Sequence, residues 1–246
     1  MSRYKITIQF DGANYFGWQM QSHKRTIQSE IETALVPLNN NSGVKIVGAG
    51  RTDTGVHAFG QVAHFDLRTS IKTIQLKKAL NARLPHDIRI INVTKTNAEF
   101  HARFSAKRRY YRYQCYLTDN ILFKNQSWFV GEIDESILNV FAKNIIGTHD
   151  FLSFSKLNKK LDNTMCNIYE TGWHKSENML IFSISGNRFL HHMVRYLVGT
   201  MIAGAQGKIS LDYFEELLNN PQKNVKIFKA PPEGLILSGI DYNEKK

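Results

Sequence analysis

The sequence predicts an α+β protein, helices packed on a sheet of mainly hairpin-compatible strands, and three observations predict it. Tyr4, Ile6, Ile8 and Phe10 alternate with polar neighbours as a half-buried strand does. Ile27, Ile31, Ala34, Leu35 and Leu38 instead recur at the spacing of one helical face. Ser176-Glu177-Asn178 separates two strand-like runs, Ile168 to His174 and Met179 to Ser185, closely enough for a hairpin, which a doubly wound parallel sheet does not contain.

Taken in order, the first strand stops at the turn signal Asp11-Gly12, and an aromatic-rich loop leads to the helix from Ile27. Val44 to Val47 form a short strand that runs into a glycine loop, and Gln61 to Leu67 form the next strand, carrying Val62 and Phe65. A helix from Thr73 to Arg83 ends near Pro85, and Ile88 to Val93 resumes strand character. The second half follows the same style without detectable repetition. It comprises a strand from Arg108 to Leu117, a helix from Ile137 to Ile146, the hairpin, helices near Phe189 and Leu211, and a last strand from Leu235 to Tyr242. No low-complexity linker separates the halves, and a soft boundary near residue 105 gives parts 1–104 and 105–246.

With 246 residues, 42% of them hydrophobic, the chain is long enough to bury a sizeable core. Its two cysteines, Cys115 and Cys166, form no C-x-x-C pair, which suits a reducing compartment and gives no zinc ribbon. The chain passes from Met1 straight into strand-like residues and contains no long uncharged apolar run, so a soluble, cytoplasmic protein without membrane association is expected. The formal net charge is +11, and basic residues interleave with aromatics from Arg103 to Tyr113. Cations attract phosphates while ring faces stack on unpaired bases, a combination suited to single-stranded or looped RNA. A solvated basic strand is the plainer reading of the same residues.

Gly48-Ala49-Gly50-Arg51-Thr52-Asp53-Thr54-Gly55-Val56-His57-Ala58 sets one carboxylate among small residues and beside a guanidinium. Three glycines within eight residues permit positive φ and close ligand approach, as a reactive acid on a tight loop requires. Arg51 would hold Asp53 ionised or neutralise a phosphate. The dinucleotide pattern G-x-G-x-x-G fails here, because Asp53 stands where glycine is needed and a strand follows rather than a helix. A glycine-rich turn with Arg51 and Asp53 paired at the surface remains an alternative.

In Phe189-Leu190-His191-His192-Met193-Val194-Arg195, the residues Phe189, Met193, Leu197 and Met201 form an apolar stripe that reads as core. His192, Arg195 and Gly199 share another face, where Arg195 should be partly buried and seek a carboxylate or phosphate, Asp53 being a candidate. Adjacent helical residues point about 100° apart, so His191 and His192 are not expected to chelate one metal, and no metal site is expected. His57 and His64 lack ligand spacing and read as locally hydrogen-bonded.

Phe10-Asp11-Gly12 with Gly17-Trp18-Gln19, then Gly50 to Ala58, Phe100-His101-Ala102-Arg103-Phe104-Ser105-Ala106 with Tyr111-Arg112-Tyr113, Phe189 to Arg195, and Glu233-Gly234-Leu235 follow one another along the chain. In that order they resemble the tRNA pseudouridine synthase A family almost end to end. Two departures stand out: Phe10 where many members have tyrosine, and Tyr110 directly before the expected tyrosine. The resemblance implies two similar α/β halves sharing a largely antiparallel mixed sheet flanked by helices. It implies isomerisation of uridine to pseudouridine at positions 38, 39 and 40 in the tRNA anticodon stem-loop, by a homodimer with no metal or organic cofactor. Asp53 matches the catalytic aspartate and Tyr111 the ring that stacks on the flipped base, while Arg51 and Arg195 position phosphate or the carboxylate. A noncatalytic tRNA-binding module would leave Asp53 unexplained. A nucleotide- or metal-dependent enzyme would need a Walker loop or ligand cluster that the sequence does not contain.

Overall fold

The computed structural model describes residues 1–156 and 163–243. They form two compact units, one of residues 1–107 with 236–243 and one of residues 108–156 with 163–235. The first unit contains β1 (Ser2–Phe10), α1 (Ile27–Leu35), β2 (Val47–Gly48), β3 (His57–Leu67), α2 (Thr73–Asn81) and β4 (Ile88–Thr96). The second contains β5 (Arg108–Tyr116), β6 (Trp128–Phe129), α3 (Leu138–Asn144), β7 (Gly147–Asp150), β8 (Met165–Ser176), β9 (Met179–Gly186), α4 (Met193–Ala205) and α5 (Leu211–Asn219). The last strand, β10 (Leu235–Asp241), follows them in the chain. The fold class is α+β, as expected.

In the first unit β1 lies between β4 and β3, antiparallel to both, with Tyr4 opposite Phe65 and Ile6 opposite Val93. The alternation of β1 is a burial pattern: Tyr4, Ile6 and Ile8 are fully buried and Phe10 nearly so. On the far side of β3, β10 runs parallel, pairing Ile236 with His57 and Leu237 with Ala58. From Ile236 the last strand therefore groups with the first unit, whereas the expected boundary placed it in the part 105–246. Its partner lies far away in sequence, where local patterning carries no information.

Other boundaries differ from expectation too, β3 starting at His57 rather than Gln61 and α2 ending at Asn81 rather than Arg83, and three further differences have structural correlates. Helix α1 opens on a capping box, Thr26 Oγ1 accepting from Ser29 N, but stops at Leu35 because Pro37 cannot continue the α ladder. Leu38 consequently sits in a 3₁₀ turn. Val44 and Ile46 are buried on one face, yet β2 begins only at Val47, and Ile46 N donates to Glu32 Oε1 rather than to a strand. Helix α4 starts at Met193, preceded by His192 with φ 64° and ψ 2°.

The second unit carries an antiparallel sheet ordered β5-β9-β8-β7, with β6 added parallel to β5. The expected hairpin joins β8 to β9, Ser176 opposite Met179, with Glu177 at φ 54°. Met193, Leu197 and Met201 are fully buried on α4 and form the core stripe, whereas Phe189 precedes the helix.

Candidate active site

Asp53 sits half-buried on the loop between β2 and β3, and the first unit holds that loop largely through main-chain groups. Ala49 N donates to Val62 O at 2.8 Å, Trp18 N to Thr52 O at 3.1 Å, and Gly55 N to Tyr15 O at 3.3 Å. Fully buried Gln61 adds its side chain, Nε2 donating to Gly50 O at 3.0 Å. Behind the loop, Gly12 N donates to His57 Nδ1 at 3.1 Å. Residues 11–28 therefore brace the loop from one side and β3 from the other.

Of the three loop glycines only Gly55 takes positive φ, at 79°. The stricter requirement lies at Gly17, outside the loop, with φ 83° and room for a Cβ only 2.5 Å from Thr52 O. The Gly17-Trp18-Gln19 run thus does structural service for the acid. It also reaches Arg51, which is exposed and whose Nε donates to Gln19 Oε1 at 3.1 Å.

Tyr111 and Arg195 belong to the second unit. Alternation along β5 puts Tyr111, Tyr113 and Cys115 on one face, with Tyr113 and Cys115 fully buried. Burial pushes the Cys115 thiol and the Tyr113 phenol far above their ordinary ranges, so both stay neutral. Tyr113 donates its hydroxyl to Pro231 O at 2.8 Å. Half-buried Tyr111 meets the ring of Phe189 edge-on, centroids 5.1 Å apart. Phe189 is the residue that sequence reasoning misassigned: read as helical core, it supports the Tyr111 ring.

The opposite face of β5 carries Arg108, Tyr110 and Arg112. The Arg108 guanidinium lies over the Tyr110 and Tyr169 rings at 5.1 and 5.0 Å, pairs with Glu170 and donates to Ser185 Oγ. This cation of the basic cluster is committed within the protein.

Arg195 on α4 is buried more completely than the partial burial expected, and Nε donates to a backbone carbonyl, Ala230 O, at 2.8 Å while Ala230 N donates to Arg195 O at 2.9 Å. The same segment lies against Gly199 through Phe228 O. His191 and His192 precede α4 instead of lying on it, and their rings come within 4.0 Å. Helical divergence therefore does not separate them, contrary to the sequence argument.

His57 and His64 are hydrogen-bonded, but to the distant Gly12 and Ala102 rather than locally as read from sequence. His64 Nδ1 accepts from Ala102 N at 3.1 Å, and burial, with the nearby His101 and Arg3 charges, lowers its pKa to about 4. Tyr242 Oη donates to Ala102 O at 2.8 Å, so the Phe100 to Ala106 block is tied down from both β3 and the end of β10.

A family model described as tRNA pseudouridine synthase matches residues 6–105 and 141–243. The chain is 38% identical over 244 residues to "tRNA pseudouridine synthase A" of Geobacillus sp. (strain WCH70), covering 98% of both chains. It is 40% identical over 248 residues to the protein of that name from Dictyoglomus turgidum, covering 98% of this chain and 100% of that one. Among solved structures it is similar to a Cbf5-Nop10-Gar1 complex, with TM-score 0.40 and 11% identity, covering 95% of this chain and 57% of that one.

Proposed function

We propose that this chain, which belongs to the tRNA pseudouridine synthase family, is an isomerase converting uridine to pseudouridine at positions 38, 39 and 40 of the tRNA anticodon stem-loop, in which Asp53 carries the chemistry while Tyr111, Arg51 and Arg195 hold the substrate. The reaction balances within one nucleotide. The N1–C1′ bond breaks, the uracil turns, C5–C1′ forms, and the proton lost at C5 is matched by one gained at N1. Breaking the first bond builds positive charge at the sugar, which a carboxylate captures or stabilises. A carboxylate serves equally in attack on sugar, attack on base, or removal of a sugar proton.

One observation carries the reading: Asp53 is presented at the turn of a loop braced on both sides by main-chain hydrogen bonds, the pre-organisation that a reacting group requires. The target base must leave its stack to reach such a group, and Tyr111, backed by Phe189, offers a ring for it. Arg51 and Arg195 supply cations for phosphate or the carboxylate. The protein acts as a cytoplasmic homodimer. The compartment agrees with two buried, free cysteines, and no helix among the described residues is long and apolar enough to cross a membrane.

The test incubates uridine-bearing tRNA with protein and EDTA, without nucleotide, and maps pseudouridine by carbodiimide labelling. Product at positions 38 to 40 is expected. A noncatalytic binder gives none, and a metal- or nucleotide-dependent enzyme gives none until supplemented. Sedimentation velocity reads the dimer.

A further inference from the structure

Arg108 is committed to Glu170, and a cavity of about 340 Å³ in the same unit offers a further place where basic side chains can meet RNA. Ser153, Lys156, Tyr196, Gln222, Lys223 and Asn224 contribute to its lining, and none of the described lining residues is acidic. Both lysines are exposed, Tyr196 is half-buried, and Gln222 and Asn224 present amides. The volume falls in the range of small-molecule sites, about 300 to 1,000 Å³.

The walls are fixed. Ser153 Oγ donates to Leu217 O and accepts from Gln222 N, both at 2.9 Å, which pins one end of the strap of residues 222–227. Phe228 N donates to Thr200 Oγ1 and Ala230 N to Arg195 O, which pins the other end to α4. Lys156 N donates to His191 O at 2.9 Å, and Tyr196 follows Arg195 directly on the helix. The pocket is therefore built from the segments that flank the proposed substrate-binding arginine.

We propose that this pocket is a second nucleotide subsite for the RNA, holding one phosphate between Lys156 and Lys223 and the attached nucleoside against the Tyr196 ring. Two flexible ammonium groups beside uncharged polar groups, one aromatic ring and the aliphatic Leu152, Val225 and Ile227 match a nucleotide's anionic and planar parts. The proposal rests on tRNA being the substrate. It assigns the pocket to a nucleotide other than the isomerised uridine, since Asp53 and Tyr111 are not among its lining residues.

The test is acylation footprinting of lysines in the intact protein, read by mass spectrometry, with tRNA, with uridine monophosphate, or with neither. tRNA should shield Lys156 and Lys223 at least about fivefold more than exposed Lys124, and the mononucleotide should shield neither, because a single weak contact gains its strength from the tethered polyanion. The K156Q/K223Q variant should raise the tRNA Kd about tenfold and lower the log–log salt slope by about 0.7 to 0.9, the value of one phosphate. K124Q/K208Q removes equal charge from exposed positions of the same unit and should change both quantities far less. Shielding no greater than at Lys124, a Kd shift no larger than in K124Q/K208Q, or shielding by mononucleotide alone each overturns the proposal. Pseudouridine formation by the unaltered protein is read separately, so failure of that activity is distinguishable from failure of the subsite.

Discussion

The loop that presents Asp53 and the elements that present Tyr111 and Arg195 are built in opposite ways. Residues 49–56 have no regular structure and are held by bonds to Trp18 N, Tyr15 O, Val62 O and the Gln61 side chain. Tyr111 rides instead on a full ladder, opposite Ile184, and Arg195 on a helix whose core stripe is fully buried. The loop therefore tolerates changes of exposed side chains but not a shift of backbone spacing, since its supports are main-chain atoms. On β5 and α4 the backbone is secure and each side chain's identity decides what it does.

The largest effect that follows is at the reacting group. Asp53→Asn keeps the shape of the side chain and the backbone bonds around it while removing the charge, so turnover should fall by roughly 10⁴-fold or more with tRNA binding nearly intact. Single-turnover product formation and a filter-binding Kd measure the two halves of that statement. Retained pseudouridine formation would remove Asp53 from the mechanism.

The strand makes a sharper prediction about side-chain identity. Tyr111 packs on Phe189 while Tyr110 faces Arg108, so the doubled tyrosine cannot serve one site with both rings. Tyr111→Ala should lose about 10²-fold in single-turnover rate, and Tyr110→Ala less than about threefold. Tyr111→Phe separates stacking, which phenylalanine keeps, from proton transfer through the hydroxyl, which it does not. A severe Tyr110→Ala defect beside a near-normal Tyr111→Ala enzyme would put the wrong face of β5 in the site.

Backbone spacing is tested at Gly17. An added Cβ would lie 2.5 Å from Thr52 O at a φ of 83°, so Gly17→Ala must displace the backbone beside Asp53. Activity should fall roughly 10- to 100-fold, with about 1 to 3 kcal/mol lost in stability. Gly43→Ala, where an added Cβ meets nothing within 4 Å, is the control and should be nearly silent. Equal effects at both positions would mean that the brace on Thr52 has no mechanistic weight.

The same contrast explains what was legible in the sequence. Strands and helices whose burial alternates locally, such as β1 with Tyr4, Ile6 and Ile8, could be read directly, and so could the glycine-flanked Asp53, because close backbone approach leaves a compositional trace. The parallel pairing of β10 with β3 left no such trace, being a matter of distant partners. Phe189 was hidden for a related reason. Its spacing to Met193 and Leu197 fits a helical stripe, but His192 takes a left-handed conformation, the helix starts one residue later, and the ring is left for Tyr111. The brace of Gly17 on Thr52 was invisible as geometry and present only as a motif.

The smallest expected effect concerns a support of the first unit that depends on protonation state. His64 accepts from Ala102 N through a ring lone pair, and burial together with the His101 and Arg3 charges lowers its pKa to about 4, while Asp66 acts in the opposite direction. The unfolded chain binds this proton near pH 6.5, so between pH 6.5 and 4 the unfolded state holds more protons than the folded one. Stability is then fully present above about pH 6.5 and declines as pH falls toward 4, by about 2 kcal/mol between pH 7 and pH 5 for a pKa of about 4. His64→Gln offers Ala102 N a neutral acceptor with no titration in this window. Urea unfolding midpoints at pH 7 and pH 5 should therefore differ clearly in the unaltered protein and much less in His64→Gln. If both proteins lose the same stability on acidification, the pH sensitivity lies in other groups, and the Phe100 to Ala106 block does not depend on a neutral His64.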